Sequence, residues 1–118
     1  DPVLNEIPEL NDDTTLADYL QSYAFKQLTV VLTPRLMQLR RLVIGEVSRF
    51  PELAKVLYEH GPQRALTALA AALERLAARG LLTLDDPLLA ASQFNWLVMS
   101  GPLNQVMLLG DEAIPTQE

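Results

Sequence analysis

The sequence predicts an all-α fold, an antiparallel bundle of five to six helices that dimerises through an intermolecular four-helix bundle. Three observations point there. Apolar residues recur at helical spacing in successive segments, several of them opened by Thr-Pro, Phe-Pro, Gly-Pro or Asp-Pro steps. No stretch alternates apolar and polar residues long enough to make a strand. Segment 87–109 is apolar around its whole circumference, and one domain of 118 residues has too little protein to cover such a helix on all sides.

Residues 1–12 carry Pro2, Pro8 and scattered acids, and read as an acidic N-terminal arm. A helical, dimerising domain is expected over 13–110, followed by a tail at 111–118. Thr15 with Asp18 approximates a capping box for a first helix over about 15–32. Thr33-Pro34 pairs a good cap with a proline that fits the first helical position, opening a second helix over about 34–49. Gly45 within it points to a close helix crossing or to space kept for something else. Phe50-Pro51 ends that helix, because the residue before proline is pushed out of the α region. A short third helix over about 51–60 has Glu52 first and His60 last, with Gly61 past its end and Pro62 opening the next. Gly80 closes the fourth helix, and Asp86-Pro87 opens the fifth. Gly101-Pro102 is expected to break or kink the fifth, leaving a last piece over about 102–109 that stops at Gly110.

The alanine-leucine helix over 62–79 and the apolar segment 87–109 read as half of a bundle shared by two copies. Leu66, Leu69, Leu73 and Leu76 recur at coiled-coil-like spacing, flanked by alanines that let a second axis approach closely. With Leu88, Leu97, Val98 and Leu103 from the second segment, they are the candidate interface of a homodimer.

Composition narrows the function. With 49% hydrophobic and 20% charged residues, the chain has ordinary globular values and enough apolar surface for a core. It holds no cysteine, which removes disulfides, thiolate metal sites and cysteine nucleophiles together. No apolar run reaches the length of a membrane span and no signal sequence is present, so the expected location is the cytoplasm, with no membrane contact. The six acids of residues 1–18 are unopposed, and the remaining acids balance the nine Lys and Arg, so the net −6 comes from the arm. Such a balance argues against this chain itself gripping DNA.

Nothing in the chain resembles a catalytic constellation, a metal-ligand set or a cofactor motif. The lone histidine, His60, fits a helix terminus better than a general base. The paired acids Asp12-Asp13, Asp85-Asp86 and Asp111-Glu112 fall in turns, where aspartate serves capping. The expectation is a protein that is not an enzyme and uses no metal or cofactor. An apolar pocket between helices is the remaining candidate site. Its candidate residues are Tyr19 and Tyr23 from the first helix, Met37, Arg41 and Ile44 from the second and Tyr58 from the third. Gln93, Asn95, Trp96 and Met99 are those of the fifth. Trp96, Tyr23 and Met99 also suit plain core, and Gln93 or Asn95 also suits a hydrogen bond across the dimer seam.

The order of motifs resembles a known family. Arg41-Leu42-Val43-Ile44-Gly45-Glu46, Arg49-Phe50-Pro51-Glu52-Leu53, Tyr58-Glu59-His60-Gly61-Pro62 and Asp85-Asp86-Pro87 with Phe94 resemble the C-terminal domain of TetR-family transcriptional regulators, the AefR-like subgroup most closely. The resemblance covers roughly residues 33–100. It implies a TetR C-terminal-domain-like regulatory domain that dimerises through its last two long helices and encloses a small-molecule effector, here a hydrophobic one. It also implies an N-terminal helix-turn-helix domain that reads DNA, and no such motif occurs in this chain. The expected function is that of the effector-sensing and dimerisation domain of a bacterial repressor, DNA being reached only through that missing domain. A helical dimerisation scaffold with a filled core and no ligand is the alternative.

Overall fold

The computed structural model describes residues 15–116, and the expected acidic arm lies outside the described residues. Within them the chain is all-α. Helix α1 runs Leu16–Val31, α2 Pro34–Glu46, α3 Pro51–Tyr58, α4 Arg64–Ala78 and α5 Pro87–Leu109. No helix of the described residues is long and apolar enough to cross a membrane.

Three helix starts rest on the expected side-chain caps, each satisfying a backbone N–H that the first turn leaves without a partner. Thr15 Oγ1 accepts from the Asp18 N–H at 3.1 Å, Thr33 Oγ1 from Leu36 at 3.3 Å and Asp86 Oδ1 from Leu89 at 3.1 Å. Helix α4 ends in a Schellman motif. Gly80 adopts φ +77°, the Gly80 N–H donates to the Ala77 carbonyl at 3.0 Å and the Leu81 N–H to the Leu76 carbonyl at 3.0 Å. Helix α5 likewise ends at Gly110, with φ +91°.

Two expected breaks do not occur. Between α3 and α4 the chain passes through a π turn, Glu59–Gln63, so the two helices form one continuous rod. Gly61 does not take the left-handed conformation of a C-terminal cap. A proline inside a helix lacks its N–H, and its ring crowds the carbonyl four residues back; the wider π turn accommodates both. Helix α5 likewise runs through Gly101 and Pro102 without interruption. The rods are therefore four: α1, α2, α3 with α4, and α5. Helix α2 stops earlier than expected, at Glu46, and Val47 to Arg49 form a turn before Phe50. Gly45 is exposed, with nothing within 4 Å of where a Cβ would stand, so none of the described helices crosses closely there.

The core consists of two clusters. In the first, Tyr19 and Tyr23 of α1 pack with Leu69, Ala70, Ala72, Leu73 and Leu76 of α4 and Ala91 of α5. The second joins Leu32 and Met37 to Met99, Leu103 and Val106 of α5. These contacts correct the expected seam: Leu69, Leu73, Leu76 and Leu103 are buried by their own chain, and Leu66 packs partly against the same cluster. Tyr19 and Tyr23 of α1 and Ala91 of α5 pack on the leucine stripe that the sequence pattern assigns to a second copy. Val98 is half-buried against the second cluster, while Leu88 and Leu97 are exposed. The expected tail is also partly folded. Asp111–Ala113 make a 3-10 turn, Ala113 and Ile114 pack on the second cluster, and Arg41 donates to Asp111 Oδ1 at 2.9 Å and to the Val106 carbonyl at 3.2 Å.

Candidate ligand-binding site

Between the two core clusters the helices leave a cavity of about 260 Å³. It takes Tyr23 and Leu66 from the first cluster and Met37, Met99 and Leu103 from the second, so it occupies the space where the clusters do not meet. Tyr23, Lys26, Gln27 and Val30 follow one another at helical spacing along α1 and form one wall. Leu36, Met37 and Arg40 of α2 form a second, and Ser92, Asn95, Trp96 and Met99 of α5 a third. Leu57, Tyr58, Gly61 and Pro62 close the remaining side from α3 and the π turn. Trp96 and Tyr58 are 44% and 55% exposed, which places them at the cavity's open side.

The wall is mainly apolar, with a few polar groups converging on it. Gln27 Nε2 donates to Asn95 Oδ1, tying α1 to α5. Gln27 Oε1 is buried and accepts no hydrogen bond from the described residues. Lys26 and Arg40 both line the space, and none of the described lining residues is an acid. Arg40 is half-buried, and burial lowers its pKa because the charged guanidinium loses water. Gly61 is buried, yet a Cβ on it would meet no atom within 4 Å. A buried backbone facing open space at that distance is the imprint of the cavity.

Of the ten residues expected to line a pocket, the structure brings six together: Tyr23, Met37, Tyr58, Asn95, Trp96 and Met99. Four lie elsewhere. Tyr19 is buried one turn away against α4. There burial raises its pKa, with the Arg75 guanidinium offsetting part of the rise. Arg41 turns to the C-terminal turn and pairs with Asp111, and Ile44 and Gln93 are exposed. The sequence reading omits Lys26, Gln27 and Arg40, although two of them follow Tyr23 at i+3 and i+4 and the third follows Leu36 at i+4. On α2 the error is one residue, about 100° around the helix, which separates the cavity side from the tail side.

Burial of Tyr23 has a consequence for alkaline stability. Desolvation, with a smaller contribution from neighbouring Tyr19, raises its pKa to about 12. The folded chain holds the phenol proton until about pH 12, whereas the unfolded chain releases it near 10.0. The contribution of Tyr23 is therefore complete below pH 10 and declines as pH rises towards 12, by roughly 2–3 kcal/mol. Urea melts at pH 9 and pH 11.5 should record that loss, and Tyr23→Phe should flatten it. An equal decline in the Phe variant would assign the effect elsewhere.

The described residues thus form four helical rods around a largely apolar cavity, and the comparisons with known proteins identify the family. The chain belongs to the TetR family of transcriptional regulators. Within it, the family described as AefR-like transcriptional repressor, C-terminal domain, matches residues 18–118. Among solved structures, that of a TetR-family transcriptional regulator from Mesorhizobium loti is similar over 93% of this chain, at 31% sequence identity and a TM-score of 0.81. The similarity covers 52% of that protein, so this chain spans about half its length. None of the curated proteins matches the chain.

Proposed function

We propose that this chain is the effector-sensing and dimerisation domain of a bacterial TetR-type repressor, acting in the cytoplasm. The cavity carries this reading. A space of about 260 Å³ lined by four helical rods, apolar with a few polar groups, has the character of a small-molecule site. A scaffold with a filled core would not leave a buried glycine facing open space. DNA is read, in this proposal, by a helix-turn-helix domain outside these 118 residues. The effector acts by population shift. It binds one placement of the DNA-reading domains better than the other, and couplings of that kind amount to roughly 1–3 kcal/mol.

Two copies pair through α4 and α5. Support comes from α5, where Leu88, Leu89, Leu97, Leu108 and Leu109 are all exposed. Leu89, Gln93, Leu97, Ser100, Asn104 and Leu108 follow at steps of three or four along one exposed stripe. Several exposed leucines gathered on one helix of a globular domain mark an association site.

The test is a thermal-shift screen of small apolar compounds against the full chain. Binding to the folded state raises the melting temperature by mass action. Gly61→Met directs a flexible side chain into the empty space and is expected to keep the melting temperature of the free protein while removing the shift. A shift that survives this substitution would place the ligand elsewhere.

A further inference from the structure

We infer that the ligand of this cavity is an organic acid: an apolar body with a carboxylate, or a group of like charge and shape, held by Arg40. The inference rests on the reading of the cavity as an effector site and adds the chemistry of its occupant.

Two features of the wall converge on it. The whole chain carries a net charge of −6, yet the described residues lining the cavity include Lys26 and Arg40 and no Asp or Glu. With no acid in the described wall, no carboxylate there offsets the charge of Arg40, which presents a positive potential to whatever enters. Among the described residues Arg40 also lacks a partner. Neighbouring Arg41 has Asp111 at 2.9 Å, whereas Arg40 is half-buried with no hydrogen bond or ion pair among the described residues.

Closure of the cavity around a guest would strip water from Arg40. A neutral apolar guest offers nothing in return and leaves a desolvated cation, so it is penalised. A carboxylate offers two oxygens in the plane that a guanidinium fork matches, and the pair strengthens as water leaves. The site thereby rejects neutral analogues as well as attracting acids. Across the same space, Gln27 Oε1 is an unfilled acceptor, and a hydroxyl or N–H on the guest would satisfy it.

The chain's single tryptophan, Trp96, stands in the cavity wall, so its fluorescence reports occupancy directly. We would titrate the full chain with 4-cyclohexylbutanoate and with 4-cyclohexylbutanamide, which share one apolar body, differ in charge and do not absorb with tryptophan. The acid is expected to bind at least tenfold more tightly than the amide, with the gap narrowing as salt is added. Arg40→Met should erase the acid's advantage while leaving the amide's affinity within about twofold, and Arg40→Lys should restore part of it. Equal affinity of the native protein for acid and amide would overturn the inference while leaving the cavity's role as an apolar ligand site intact. No response to either probe would overturn both. The comparison on the native protein decides the matter even if the methionine variant fails to fold.

Discussion

Leu97→Asp is expected to yield a folded monomer. Leu97 is 83% exposed in the single chain, the largest exposure among its exposed large apolar residues, and lies mid-way along the uncovered stripe of α5. Removing it costs the monomer little, since no core contact depends on it. In a two-fold dimer each substitution appears twice across the same surface, so two aspartates would lose their water against apolar neighbours. Light scattering should report the mass of one chain, and circular dichroism a helix content equal to that of the parent. An intact dimer would move the interface off this stripe.

Leu76→Ala is expected to act in the opposite way, lowering stability without selecting against association. Leu76 is fully buried among the side chains of α1, α4 and α5, and its carbonyl receives the Leu81 N–H that closes α4. Truncating such a leucine costs about 2–5 kcal/mol, the sum of lost transfer energy and the hole left behind. For a domain of this size that is a large share of total stability. The midpoint of urea unfolding should fall sharply, and Leu76→Asp should prevent folding. Unchanged melting of the alanine variant would show that the stripe of α4 faces outward after all.

The contrast between these residues marks how far the sequence can be read. Signals carried by neighbouring residues are legible. Thr15, Thr33 and Asp86 cap helices, and Gly80 and Gly110 end them, because each requirement is met within one turn of chain. Proline is less decisive. Pro62 and Pro102 read locally as breaks, yet a π turn absorbs the first and α5 passes through the second. Least legible is which neighbour covers an apolar face. The periodicity of Leu69, Leu73 and Leu76 demands cover but does not say from where, and α1 and α5 of the same chain supply it. The cavity follows the same rule. Large or aromatic residues such as Tyr23, Trp96 and Met99 stand out in the sequence, whereas Gln27 and Arg40 are common on exposed helix faces and only the packing of four rods sets them inside.

With no loop between α3 and α4, that rod has no slack. Leu57 and Tyr58 at the chamber wall and Leu76 in the core stand on one continuous helical backbone, with the wider π turn around Gly61 between them. The splice, through Gly61 and Pro62, is also part of the chamber wall, so whatever fills the chamber rests against the π turn itself.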